Sequence, residues 1–79
     1  MTIDREREVA ALAKADADLV LGEQRIAEQR LRIERLRRDG QDLDQAEEML
    51  RAFQASLQEW QTHRASIVQL IRQIDAGLV

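Results

Sequence analysis

The second half of the chain carries an unbroken pattern of mainly hydrophobic positions spaced alternately by three and four residues. One register holds Leu43, Leu50, Leu57, Arg64, Ile71 and Leu78, and the positions three residues later are Ala46, Phe53, Trp60, Ile67 and Ile74. This alternation predicts an α-helix that packs along one side against another helix. Because a single helix cannot bury such a stripe alone, the pattern requires a partner.

The first half of the chain carries a second stripe with smaller side chains. Its members are Leu12, Leu19, Ile26 and Ile33, followed after three residues by Ala15, Gly22, Gln29 and Leu36. The pattern predicts a helix over about 4–38, with Thr2 or Asp4 as its N-cap. A glycine in the middle of a helix costs about 1 kcal/mol relative to alanine, so we expect Gly22 to have a packing role.

The segment 39–42 is the one convincing break between the two stripes. Gly40 can adopt the left-handed conformation that ends a helix. Asp42 is a good N-cap, and Gln45 follows it at the spacing of a capping box. The sequence therefore predicts a turn at 39–42 and a second helix over about 43–76. A connection this short makes the two helices antiparallel neighbours.

Folding the chain back at the turn brings the two stripes together in one register without a stutter. In that register Gly22 faces Leu57, and Ala15 faces Arg64. Small residues thus lie opposite large ones along the seam, which is the interface between the two stripes. The predicted fold is all-α: an antiparallel two-helix coiled-coil hairpin that forms a single domain over residues 1–79.

Two polar residues occupy seam positions in this register. We expect Arg64 to extend towards water and pair with Asp16 or Asp18 on the facing helix, because polar seam residues most often fix register. Gln29 receives the same interpretation. The alternative for Arg64 is a buried anion site. His63 flanks the seam without a second candidate ligand.

A hairpin leaves apolar residues outside its seam, and they become more frequent towards its open end. An exposed patch of this kind is typical of an interface. We therefore expect a homodimer of hairpins in a four-helix arrangement, with contacts mainly between open ends. The residues expected at that interface are Val9, Leu12, Ile67, Val68, Leu70, Ile71 and Ile74; Ala13, Val20, Ala27 and Met49 are also off-seam.

Arginine is concentrated between residues 24 and 38. Four of these arginines form one possible binding face: Arg25, Arg32, Arg35 and Arg38. They could contact the phosphates of a nucleic acid, in which case binding would depend steeply on salt. The alternative is a solvated helix face whose charge is neutralised locally, with Glu47 of the second helix pairing with Arg30 or Arg37.

Composition excludes several kinds of chemistry. The chain has no cysteine and one histidine, so disulfides, cysteine-based zinc sites and histidine-rich metal sites are ruled out. The paired Glu-x-x-His motifs of di-iron bundles and a glycine-rich phosphate loop are also missing. A two-helix hairpin has no walled cleft in which carboxylates could acquire shifted pKa values. We therefore expect a non-enzyme without a cofactor or metal.

The net charge of −3 gives no global attraction to nucleic acid or to an anionic membrane. The charged N-terminal segment does not resemble a signal peptide, and the apolar runs are too short to span a bilayer. We therefore expect a cytoplasmic protein without a membrane partner.

The segment from Ile26 to Arg64 resembles a family of small uncharacterised helical hairpin proteins of alphaproteobacteria, of the rhizobial type. The residues that carry the resemblance are Ile26-Ala27-Glu28-Gln29-Arg30, Ile33-Glu34-Arg35-Leu36, Asp39-Gly40, Asp42, Leu50, Phe53, Leu57 and His63-Arg64. The resemblance implies a helical hairpin and no established activity.

The function that these features favour is a structural or protein-interaction module, a hairpin that self-associates and holds a protein partner on its exposed faces. One alternative is nucleic-acid binding through the arginine-rich face. Another is a small regulatory protein of the antitoxin or anti-sigma type, which binds its target by the same helix faces.

Overall fold

The computed structural model describes residues 4–78, which form two long helices joined by a short turn. The first helix, α1, spans Arg5–Arg38, and the second, α2, spans Asp44–Asp75. The helices run antiparallel and pack against each other along their length, in a rod measuring 59 × 17 × 15 Å. The predicted all-α helical hairpin is confirmed.

The start of α1 is capped by Asp4, one of the two expected residues. Its carboxylate accepts hydrogen bonds from the backbone N–H groups of Glu6, at 3.0 Å, and Arg7, at 3.4 Å. These bonds satisfy amides that have no partner inside the helix. Thr2, the other expected cap, lies outside the described residues.

Both helices end in the same hydrogen-bonded motif, centred on a glycine with positive φ. At the end of α1, Gly40 has a φ of 68° and donates to the carbonyl of Arg37, while Gln41 donates to the carbonyl of Leu36. At the end of α2, Gly77 has a φ of 74° and repeats this arrangement. These Schellman motifs satisfy the last carbonyls of each helix. The role expected for Gly40 is confirmed.

The start of α2 differs from the expected capping box. Leu43 occupies the N-cap position and makes no side-chain capping bond. Asp42 lies one residue earlier, and its carboxylate accepts from the backbone N–H of Asp44 at 3.0 Å rather than from Gln45. The prediction of Asp42 as the N-cap was wrong by one position, because the carbonyl of Leu43 accepts the bond from the backbone N–H of Glu47, at 2.9 Å, that opens the helix.

The core follows the predicted seam. The described residues below 9% exposure are Ala15, Ile26, Gln29 and Ile33 on α1, with Ala46 and Ile67 on α2. All six belong to the two stripes. The larger seam residues are half-buried because two helices cannot enclose a long side chain on all sides. Trp60 and Leu78 are exposed, at 40% and 73%, although the sequence predicted both as seam residues; Leu78 lies beyond the end of α2.

The contact between Gly22 and Leu57 has the geometry that the register predicts. A Cβ atom added to Gly22 would lie 3.1 Å from Cδ1 of Leu57. Carbon atoms in favourable contact are about 3.5–4.0 Å apart, so any side chain at position 22 would press on Leu57. The glycine therefore provides the space that the leucine occupies.

Candidate interaction surfaces

Gln29 joins the helices through a buried hydrogen bond. Its amide nitrogen Nε2 donates to the backbone carbonyl of Ala46 at 2.8 Å, and the residue is 6% exposed. In the predicted register Gln29 faces Leu50, and Ala46 lies one turn of α2 away from that position. A buried amide requires an acceptor, and the nearby main-chain carbonyl of α2 supplies one.

Arg64 crosses from α2 to Asp16 on α1, the first of the two carboxylates expected for it. The guanidinium Nε donates to Oδ1 of Asp16, and the two side chains are 41% and 50% exposed. Ala15, which faces Arg64 in the register, is the most deeply buried residue, at 2% exposure. The guanidinium therefore reaches the solvent edge of the seam, where it is already paired, which is a poor arrangement for a buried anion site.

An ion pair that was not predicted from the sequence closes the open end of the hairpin. Nε of Arg5 donates to Oδ1 of Asp75 at 2.6 Å, and a second guanidinium nitrogen lies 3.3 Å from Oδ2. The hydrogen bond from Arg5 lowers the pKa of the Asp75 carboxyl below its ordinary value. The only sequence signal was that both residues lie at helix ends that the register brings together.

The residues expected to form a dimer interface at the open end have uneven exposure. Ile67 is 6% exposed and lies inside the seam, so it is unavailable to a partner. Val9 is 42% exposed. The remaining members are half-buried, namely Leu12, Val68, Leu70, Ile71 and Ile74. The open end therefore offers an incomplete apolar patch.

A longer apolar surface lies on the outside of α1, and only Ala13, Val20 and Ala27 of it were predicted to lie off the seam. We define the outer face of α1 as Ala10, Ala13, Ala17, Val20, Gln24, Ala27 and Leu31, all of which are exposed. These residues repeat the alternating spacing of three and four that marks the seam. At about 100° per residue, the face lies roughly 150° around the helix from the seam. Its largest apolar side chains, Val20 and Leu31, are 53% and 58% exposed.

The four arginines of the possible nucleic-acid face are all exposed: Arg25, Arg32, Arg35 and Arg38. Within residues 4–78, none of them lies within 4.0 Å of a carboxylate oxygen. The expected ion pairs of Glu47 with Arg30 or Arg37 are also not formed, although the three residues line one open groove. Their charge is therefore not neutralised by close pairing in the described part of the chain.

The tryptophan of α2 has polar neighbours on both helices. Nζ of Lys14 lies 5.8 Å from the centroid of the Trp60 ring, a cation–π distance. The His63 ring meets the same indole edge-on, with 5.9 Å between the centroids. Lys14 also pairs with Asp18 at 3.1 Å. The cluster is open to solvent on the side of the indole.

The described residues contain neither a membrane-spanning helix nor a metal-binding cluster. No helix within residues 4–78 is both long and apolar enough to cross a membrane. Across the same residues, no three His, Cys, Asp or Glu side chains come together in a way that could hold a metal ion.

The fold and its contacts define the class of protein as an all-α helical hairpin, held by an apolar seam and polar contacts between the helices. A scan against protein-family models found no match, and neither did a search of curated proteins or a search of solved structures. Any function must therefore be argued from the surfaces of the hairpin.

Proposed function

We propose that this protein is a non-enzymatic interaction module, a helical hairpin that self-associates and presents its helix faces to other proteins. The observation that carries the proposal is the outer face of α1, where Val20 and Leu31 are more than half exposed within a regular apolar stripe. A helix that is apolar on two opposed sides is typical of a helix with two packing partners. The hairpin itself supplies only one.

The arrangement of charged side chains supports a binding role rather than a reaction. The ion pairs between the helices are exposed, with Arg5 and Asp75 each about half accessible to solvent. General acid–base chemistry usually relies on groups shielded from water, where burial shifts their pKa values. The hairpin offers shallow grooves rather than an enclosed cavity.

Sedimentation equilibrium over about 5 to 500 µM tests the proposal, because small interfaces commonly bind in the micromolar range. We expect a reversible monomer–dimer equilibrium. Leu31→Glu should weaken it by placing a charge on the apolar face, whereas Gln69→Glu on α2 serves as the matched control. A monomer throughout this range would contradict self-association.

A second candidate function is phosphate-backbone binding by the unpaired arginines of α1. The observation that favours it is the absence of close carboxylate partners for Arg25, Arg32, Arg35 and Arg38 among the described residues. Binding of a labelled DNA duplex, followed by anisotropy, should fall linearly on a plot of log affinity against log salt. Replacing the four arginines with Gln should abolish it, while replacing Arg7, Arg51 and Arg72 should not. No binding at about 50 mM salt, where such contacts are strong, would remove this candidate.

A regulatory protein of the antitoxin or anti-sigma type would use the same helix faces, and remains an alternative within the interaction class.

A further inference from the structure

The outer face of α1 is bordered by two rows of residues, and the charges in one row change sign halfway along it. This row contains Asp16 and Glu23 followed by Arg30 and Arg37, each seven residues from the next, and all four are exposed. The row on the other side contains Lys14, Leu21, Glu28 and Arg35, which are also exposed. A row that is acidic at one end and basic at the other is complementary to its own reverse.

We propose that the outer face of α1 packs antiparallel against the same face of a second copy of this chain. The interface is two-fold symmetric, so every contact occurs twice. In the register that the charges select, Glu23 lies beside the partner's Arg30, and Asp16 lies beside the partner's Arg37. This inference rests on the proposed self-association and names the surface that performs it.

The larger apolar side chains of the outer face agree with this register, whereas Ala17 and Ala13 lie opposite the partner's Glu34 and the partner's Arg38. Val20 meets the partner's Leu31, so the two large apolar side chains of the face cover each other. Gln24 meets the partner's Ala27 near the symmetry axis, which pairs a longer side chain with a small one. These are the alternating layers that two helices with a three-four pattern form when they run antiparallel.

Other ways of joining the same faces lose the attraction between Glu23 and the partner's Arg30. A parallel arrangement places Glu23 beside the partner's Glu28 and Arg30 beside the partner's Arg35. Sliding the antiparallel pair by one heptad pairs Asp16 with the partner's Arg30, but it places Glu23 beside its own copy and Arg35 beside the partner's Arg7. Like charges at such flanking positions disfavour a register and partner orientation, so charge selects one arrangement among the apolar alternatives.

The arrangement leaves the intramolecular seam intact. Because the outer face lies roughly 150° from the seam, each α2 stays on the far side of its own α1. The dimer is therefore a row of four helices, with the two α1 helices in the middle. Arg64 and Asp16 keep their contact within each hairpin, and Asp16 has a free side for the partner's Arg37 because half of its side chain is exposed.

The row that contains Lys14 and Arg35 makes one unfavourable contact, and this contact allows the register to be tested. In the proposed register, Lys14 lies beside the partner's Arg35, so the two positive charges repel. Reversing the charge of Arg35 should therefore strengthen the dimer, whereas reversing that of Arg30 should weaken it. The two variants change the net charge by the same amount, from −3 to −5, so a general charge effect would move them in the same direction.

The first experiment measures dimer dissociation constants by sedimentation equilibrium at low salt, with helical content checked by circular dichroism. We expect Arg30→Glu to raise the dissociation constant about tenfold, because two symmetric ion pairs become repulsive. Arg35→Glu should lower it. The double variant Glu23→Arg with Arg30→Glu restores each pair with its charges exchanged, and should return the constant close to that of the native chain.

The second experiment locates the contact by cross-linking, which is simple because the chain contains no cysteine. Chains carrying Val20→Cys and chains carrying Leu31→Cys are mixed and treated with a short bis-maleimide. We expect the mixed product to exceed either homodimeric product. A mixture of Ala55→Cys and Ala65→Cys chains, both altered on exposed positions of α2, is the control and should give little product.

The outcomes separate this inference from the proposed function. A dimer that forms normally in Arg30→Glu, or that cross-links equally on α2, overturns the α1 interface while self-association stands. A chain that remains monomeric at all concentrations overturns both. Weakening by Arg30→Glu without recovery in the double variant overturns the proposed register.

Discussion

The side chain of Leu57 limits which residues can replace Gly22. Alanine is favoured over glycine inside a helix by about 1 kcal/mol, but a Cβ atom at position 22 would lie only 3.1 Å from Leu57. The gain in helix propensity and the crowding of Leu57 therefore oppose each other. Whether the glycine can be replaced depends on the facing helix rather than on α1 alone.

A double-mutant cycle tests this opposition. We expect Gly22→Ala to change the free energy of unfolding by less than about 0.5 kcal/mol in the native chain, yet to stabilise Leu57→Ala by about 1 kcal/mol. Urea denaturation followed by circular dichroism provides the measurement. Ala65→Gly, at an exposed position of α2, should cost the same in both backgrounds. Equal stabilisation by Gly22→Ala in both would mean that Leu57 does not use the space.

The buried amide of Gln29 offers a second residue-scale test, because Gln29→Glu preserves its shape and changes its chemistry. At neutral pH a carboxylate would be buried beside the carbonyl oxygen of Ala46 without a donor to offer, and we expect a loss of about 2 kcal/mol. Burial and that carbonyl would raise the pKa of the introduced carboxyl.

The pH dependence of the Gln29→Glu variant therefore has a defined sign. As the pH falls through the raised pKa, the carboxyl gains a proton that it can donate to Ala46, and the loss of stability should diminish. Thermal unfolding at pH 7 and at about pH 4, near the ordinary pKa of glutamate, measures this. Gln54→Glu, exposed on α2, should show no such recovery. A variant as stable as the native chain at pH 7 would contradict the buried contact.

At this scale the sequence predicted positions better than contacts. The stripes placed Gln29 and Arg64 on the seam, and narrowed the partner of Arg64 to two carboxylates. The acceptor for Gln29 could not be predicted from the sequence, because every residue has a main-chain carbonyl. The exposure of Trp60 was also missed, since the spacing identifies the side of a helix and not how much of a large ring its neighbour can cover.

At the scale of the helices, the ends of the hairpin are fastened differently. The closed end is fixed by the chain itself, through the motif around Gly40. The open end has no covalent link and is joined by Arg5 and Asp75 across the two helix termini. Fraying should therefore begin at the open end and depend on this pair.

Asp75→Asn tests the contribution of the pair and its dependence on pH. Because the pKa of Asp75 is lowered in the folded protein, the contact contributes fully above the ordinary pKa of about 3.9 and is lost as the pH falls through the lower folded value. Hydrogen exchange near Ile71 and Ile74 should be at most a few-fold faster in the variant at pH 6, at low salt. Near Ile33 it should be unchanged.

Two comparisons check the cause of this difference. Arg5→Gln should have the same effect, and combining it with Asp75→Asn should add little, since either change removes the same contact. High salt should reduce the difference because both side chains are exposed. A variant difference that persisted at pH 2 would point to a cause other than the ionised carboxylate.

Helix boundaries were predictable because local signals mark them. Asp4 and Gly40 have side-chain and backbone properties that favour caps, and the helices start and stop beside them. The N-cap of α2 was misplaced by one residue, because an aspartate can accept from either of two nearby amides and the sequence does not show which one it chooses. The pair between Arg5 and Asp75 depends on how far α2 continues, which the periodicity leaves imprecise.

At the scale of the whole molecule, the shape of the dimer distinguishes the proposed interface from contact between open ends. One hairpin is 59 Å long with a radius of gyration of 17.9 Å for its Cα atoms. The proposed antiparallel register offsets the two rods by roughly 12 Å at 1.5 Å per residue, so the maximum dimension of the dimer should be about 70–80 Å.

Small-angle scattering at a concentration where the dimer predominates measures this dimension. Contact between open ends would extend the particle to about 100 Å or more, given the length of two helices end to end. Arg30→Glu at the same concentration is the control and should shift the scattering towards that of a single hairpin, because its dimer is weaker. A dimer of the longer dimension would contradict the side-by-side arrangement.

The fold of the whole molecule was predictable because two heptad stripes and one turn leave few ways to join them. The exposed stripe on α1 was harder to recognise because alanines dominate it, and alanine alone is equally common on solvated helices. The stripe can be recognised as an exposed apolar face only once the position of the seam shows which side of α1 faces outwards.

The position of Trp60 provides a built-in optical probe of the hairpin. It is the chain's single tryptophan, and its indole lies against Lys14 of the other helix while remaining 40% exposed. Separation of the helices would change the surroundings of this one fluorophore without any label. The emission spectrum can therefore follow opening and closing of α1 and α2 in real time, in the native sequence.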